Sequence, residues 1–135
     1  MMYLIDTDIL SNLLKRSPST VLIARLAAVP AEQQFTSSIT LGELVYGAKR
    51  LEERGVALLQ TIDRVLLPNL RVLPFDVPAA RQYGEIRAML EQAGTVTGDA
   101  DLRIGAIARV HKLVVVTGNV RHFQRIPGLA VENWL

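Results

Sequence analysis

The stretch Met2-Tyr3-Leu4-Ile5-Asp6-Thr7-Asp8 decides how the rest of the chain is read. An apolar run of strand-forming residues ends abruptly in an acid, a hydroxyl and a second acid. Such a run reads as a strand buried on both faces. Buried strands of α/β sheets present their functional groups at the carboxyl end, where the chain leaves the sheet. Asp6 stands at that edge. A carboxylate there is costly without a hydrogen-bonding or cationic partner.

Working outward, the 135 residues make one ordinary domain, 1–135, with a single core expected. Half of the residues are hydrophobic, enough to cover a sheet on both sides. Fifteen basic and thirteen acidic residues give a formal net charge of +2, weak evidence for a nucleic-acid partner. There is no cysteine, which excludes disulfides, zinc–thiolate sites and thiol nucleophiles. No apolar run reaches the roughly 20 residues of a membrane helix, and no basic opening precedes the first apolar run. The expectation is a soluble, cytoplasmic protein with no membrane partner.

Helical spacing follows the first strand over Asp8 to Lys15, then over Leu22 to Ala27 as far as Pro30. Phe35 to Ser38 reads as a strand, and Thr40-Leu41-Gly42-Glu43 opens a helix ending in Lys49 and Arg50. A helix over Val56 to Leu67 is expected to stop at Pro68, before a strand over Leu70 to Leu73. Pro78 suits the first turn of a helix ending at Gly94. Asp99 to His111 is a helix of small residues able to lie close to a sheet. Leu113 to Thr117 is the richest β run, Gly118-Asn119 turns, and Leu129 to Glu132 adds a short last strand. Alternating elements predict an α/β fold with a mostly parallel central sheet of four to five strands flanked by helices.

Asp6, Glu43, Asp99, Asp101 and Asn119 each follow a strand or open the next helix. Parallel neighbours would gather them at one sheet edge. Carboxylates converging without a cation between them repel, and hard divalent ions relieve this with oxygen ligands. Asp, Glu and Asn without Cys or His point to Mg²⁺ or Mn²⁺ and away from zinc. Simpler roles stand beside this one. Thr40-x-x-Glu43 is a capping-box pattern, Asp99 is a candidate helix cap, and Asp101 complements a helix dipole. Asp8 caps or supports, and Asn119 suits a left-handed turn next to Gly118.

Four blocks occur in order: Leu4-Ile5-Asp6-Thr7-Asp8-Ile9-Leu10, Ser38-Ile39-Thr40-Leu41-Gly42-Glu43-Leu44 with Gly47, Gly98-Asp99-Ala100-Asp101-Leu102 with Ile104 and Ala106, and Val116-Thr117 with Asn119-Val120-Arg121 and Phe123. Together with the tail Ile126-Pro127-Gly128-Leu129 to Glu132-Asn133-Trp134, they resemble the PIN-domain ribonucleases, in particular VapC-type toxins of bacterial toxin–antitoxin pairs. The resemblance spans essentially the whole chain. It implies a PIN-like fold, RNA cut endonucleolytically with Mg²⁺ or Mn²⁺, a homodimer and a VapB-like antitoxin. By the same resemblance Asp6 and Asp101 are the principal metal ligands, Glu43 the third acid, Asn119 a catalytic-site residue and Asp99 an auxiliary ligand. His122 stands where relatives often carry Asp or Glu, and is read as idle or as a contact to RNA phosphate. Asp8 replaces a common Asn.

Lys15, Arg16, Lys49, Arg50, Arg103, Arg109, Arg121 and Arg125 are candidates to hold RNA backbone, Arg121 foremost. Leu10, Leu13, Leu14, Leu22, Leu26 and Val45 are candidates for a groove that takes an amphipathic partner helix. The competing functions are a PIN nuclease for RNA processing outside any toxin system and a non-catalytic nucleic-acid- or protein-binding PIN subunit.

Overall fold

A computed structural model describes residues 1–135. The first strand, β1 (Tyr3–Ile5), leads into α1 (Thr7–Leu13) and α2 (Thr20–Ala28). Then come β2 (Gln34–Ser37), α3 (Ser38–Arg50) and α4 (Val56–Thr61). A π-helical turn, Ile62–Leu66, joins α4 to α5 (Leu67–Asn69), which precedes β3 (Arg71–Leu73). The chain ends with α6 (Val77–Gln92), α7 (Asp99–His111), β4 (Val114–Val116), α8 (Val120–Gln124) and β5 (Val131–Glu132). No helix is long and apolar enough to cross a membrane.

All five strands are parallel, in the order β3-β2-β1-β4-β5. Tyr3 lies opposite Gln34 on one side and Val114 on the other, so β1 is central. The chain builds outward from β1 to β3, then returns to lay β4 on the opposite flank. The β1/β4 seam is therefore the point where winding reverses, the place where α/β sheets open a crevice.

Side chains alternate across each strand. Leu4 and Val115 enter a core formed with α6, α7 and α8; Ile5 and Val116 enter a second core with α1, α3 and the α4 region. Both faces of the sheet are thereby covered, which is why β1 and β4 read as unbroken apolar runs. Trp134 closes the second core at 2% exposure, and its Nε1 donates to Glu132 Oε1 at 3.0 Å. Arg25 donates to the same oxygen at 3.1 Å and stacks 5.2 Å from the indole, tying the tail to α2.

Two elements differ from expectation. The helix expected to stop at Pro68 runs on to Asn69. Proline lacks the donor that an α-turn would need there, and the wider π turn, closed by Leu67 N–H to Ile62 C=O, accommodates it. The helix α8 follows the expected turn at Gly118-Asn119 without a sequence signal of its own; five residues are too few to show a period, although buried Phe123 anchors it.

The turn after α3 presses Gly55 against the helix it leaves. A Cβ at Gly55 would fall 1.8 Å from the Ala48 carbonyl oxygen, a clash with backbone. Gly84, exposed within α6, has open space around it. Urea unfolding should therefore separate the two: Gly55→Ala should lose at least about 2 kcal/mol, while Gly84→Ala should gain roughly 0.5–1 kcal/mol. Equal effects would contradict this packing.

Candidate active site

The carboxyl ends of β1, β2 and β4 open into one cleft of about 540 Å³. Asp6, Asp8, Glu43, Asp101 and Asn119 line it, with Lys15 as its one cation. Asp6, Glu43, Asp101 and Asn119 are thus brought together from four separate parts of the chain.

Asp6 ends β1 and is 3% exposed. Its Oδ2 accepts a hydrogen bond from Thr117 Oγ at 2.8 Å, across the seam from the end of β4. Its Oδ1 is buried with no hydrogen-bond donor. Burial therefore dominates, and pushes the Asp6 carboxyl up from 3.8 to about 7. The Thr117 bond and the nearby Thr7 amide oppose this shift; the Asp8 and Asp101 charges add to it. Although Asp6 precedes α1, its side chain makes no capping bond.

Glu43 rises from the second turn of α3, and its Oε1 accepts from Thr7 Oγ at 2.7 Å. The capping-box reading of Thr40 and Glu43 does not hold. Ser37 caps α3, accepting from Thr40 N at 3.0 Å, so Glu43 is free of the helix end. Asp101 lies in the first turn of α7, and its Oδ2 is 3.1 Å from His122 Nδ1. The idle reading of His122 is thereby corrected: the ring holds one of the cleft acids.

Asp8 supports the site. Its Oδ2 accepts from Gly118 N at 2.8 Å, pinning the loop after β4. A Cβ at Gly118 would fall 2.6 Å from that oxygen, so close approach is what glycine provides here. The left-handed turn expected at Gly118-Asn119 is absent: Asn119 has φ −93° and caps the start of α8 by position. Its backbone N–H donates to Thr117 Oγ at 2.9 Å, and the residue lines the cleft wall.

Asp99 is not brought to the cleft, contrary to the expectation that it assists as a metal ligand. Two residues along a helix is about 200° of rotation, so Asp99 and Asp101 point apart. Asp99 accepts from Tyr83 Oη and from Arg103 Nε, the latter at 2.8 Å, and lines a separate cavity beside Arg87. The Tyr83 hydroxyl first, then Arg103, holds its carboxyl below the usual range. Nor does it cap α7; Gly98 occupies that position. Thr7 and Thr117 were overlooked as site residues. Each is a hydroxyl adjacent to a strand end within the quoted blocks, which was the available signal.

The donor set fits a hard divalent cation on one observation in particular. Asp6 Oδ1 is an orphaned, buried acceptor facing further carboxylates, with no thiol present. As the side chains stand, no three acids or histidines form a ready cage. Thr7 holds Glu43, and His122 holds Asp101 through one oxygen.

The family model for the PIN domain matches residues 3–129. The chain is 36% identical over 135 residues to ribonuclease VapC2 of Haemophilus influenzae, covering 98% of both chains. It is 37% identical over 134 residues to the tRNA(fMet)-specific endonuclease VapC of Salmonella typhimurium, covering 98% of this chain and 97% of the relative. Among solved structures, the VapBC2 complex of Rickettsia felis bound to a promoter DNA fragment superposes with a TM-score of 0.87 at 31% identity, covering all of both chains. Likeness of this extent assigns the chain to the PIN-domain family and, within it, to the VapC-type ribonucleases.

Proposed function

We propose that this chain is the toxin of a VapBC-type pair, an endoribonuclease that hydrolyses RNA phosphodiester bonds with Mg²⁺ or Mn²⁺. The observation that carries the metal reading is Asp6 Oδ1, buried and unpaired in a cleft with four carboxylates and one lysine. A bound divalent ion would supply an activated water and offset charge on the phosphate. Asp6 and Asp101 would hold it, with Glu43 as the third acid. Glu43, exposed and hydrogen-bonded only through Thr7, is free to orient the attacking water. Asn119 offers a neutral amide at the cleft wall. Thr117 keeps Asp6 in one rotamer, and Asp8 keeps the Asn119 loop in place.

Lys15 on the cleft wall and exposed Arg121 on α8 suit RNA phosphates. Arg103 and Arg125 are engaged elsewhere, with Asp99 and with the Val96 carbonyl. An apolar groove of about 350 Å³ runs along α1 and α2, where Leu10, Leu13 and Leu26 meet Ile23, Val65 and Leu70. It suits an amphipathic segment of a VapB-like antitoxin. Leu22 is wholly core and takes no part; Leu14 faces a neighbouring groove with Leu58, and Val45 lines neither groove. The antitoxin reading draws support from the related toxin–antitoxin complexes, and a homodimer is proposed with it. Retention of Asp6, Glu43 and Asp101 in one cleft argues against a non-catalytic subunit.

Two measurements test this reading. Asp6→Asn and Asp101→Asn should each slow cleavage of an RNA pool in Mg²⁺ by more than roughly 100-fold, beyond the loss of an outer hydrogen-bonding partner, with unchanged circular dichroism. Wild-type rates in both would refute it. The second concerns stability without metal. The folded pKa of Asp6 lies above its unfolded value, so the folded chain retains a proton that the unfolded chain releases. The associated stability is complete below about pH 4 and is lost as pH rises through about 7. In EDTA, wild type should therefore lose roughly 2–4 kcal/mol relative to Asp6→Asn between pH 4 and pH 8. Parallel pH profiles would show that Asp6 is not desolvated.

A further inference from the structure

The α8 helix bears His122 immediately before two anchors, one on the helix and one just past its end. Phe123 is fully buried and Ile126 is 1% exposed. Ile126 packs on α7 at Gly105, where a Cβ would fall 2.4 Å from Ile126 Cδ1. Lack of a side chain at Gly105 thus lets the α8 segment lie directly on α7. The backbone beneath His122 and the helix that carries Asp101 are thereby fixed to each other. Their side chains meet above this contact, Nδ1 to Oδ2 at 3.1 Å, and are 49% and 23% exposed. A half-exposed pair of this kind adds little to the core. A carboxylate oxygen accepts, so the hydrogen lies on Nδ1. Asp101 has no other side-chain hydrogen bond, and its Oδ1 remains open.

We infer that His122 is a positioning residue for the divalent-cation site: it fixes the Asp101 carboxylate through Oδ2 and leaves Oδ1 to the ion. The inference rests on the metal reading proposed above. Without the ring, Asp101 has nothing to set its rotamer. The negative charges of Asp6 and Asp8 repel it, and any ion must also supply the entropy of ordering it. Outer partners of this type alter metal affinity by roughly 10–100-fold.

The test is a titration of metal-free protein with Mn²⁺ alone, at one pH, followed by electron paramagnetic resonance. Wild type is compared with His122→Ala, His122→Asn and His122→Gln. An Asn amide nitrogen takes the place of Nδ1; a Gln amide nitrogen takes the place of Nε2, too far out for Oδ2. The expected result is a Kd raised roughly 10–100-fold in His122→Ala and His122→Gln, with His122→Asn restored to near wild type. Thermal unfolding in EDTA should be alike in all four proteins, showing that the fold is intact. An unchanged Kd in His122→Ala overturns the inference. So does tighter binding, which would make the ring a competitor for Asp101. Failure of His122→Asn to restore binding also overturns it, because the ring would then be a direct ligand. If wild type binds no Mn²⁺, the metal reading itself falls; if wild type binds and the variants match it, only the role of His122 falls.

Discussion

The structure depends on one constraint: a carboxylate placed at the end of a fully buried strand, with one of its oxygens given no donor. Asp6 is there because β1 is central in an all-parallel sheet. Such a sheet spends both faces on helices and keeps only its edges for polar work. The reversal of winding between β1 and β4 leaves the gap into which Asp6 points, and Thr117 from β4 satisfies one oxygen. The other makes no well-formed hydrogen bond, the Thr7 amide being only nearby. A neutral amide or an apolar residue would cost the fold less. The cost is accepted at the point where four carboxylates share a cleft, and burial moves Asp6 to about 7.

Around Asp6 the other acids are each held by a donor from a different segment. Thr7 at the start of α1 holds Glu43, His122 on α8 holds Asp101, and the Gly118 amide holds Asp8. These bonds anchor each acid separately on the cleft wall. No three of them close into a cage in this conformation. The arrangement is a set of acids drawn from separate segments and gathered around one cleft.

Much of this could be read from sequence because the chemistry falls at strand ends. The apolar run closing on Asp6, the β-rich run closing on Thr117 and the small-residue helix opening near Asp101 each mark an edge position, and alternation of elements gives the parallel sheet. The failures have local causes. Thr40-x-x-Glu43 carries the pattern of a capping box, yet the helix begins three residues earlier at Ser37, so the pattern was in the wrong register. Asp99 and Asp101 are equally plausible by residue type; only helical rotation and the competing pull of Tyr83 and Arg103 separate them. The contact between His122 and Asp101 joins residues 21 apart through two half-exposed side chains, and no periodicity records such a meeting. Gly118 was read as a turn former, whereas its use is the close approach of Asp8.

The most direct test of the central claim is anomalous diffraction from crystals soaked in Mn²⁺. The account predicts a manganese peak in the cleft within inner-sphere distance of Asp6 Oδ1, about 2.1 Å by analogy with Mg²⁺. A peak confined to other acids, or an Asp6 Oδ1 that accepts an ordinary hydrogen bond in metal-soaked crystals, would contradict it.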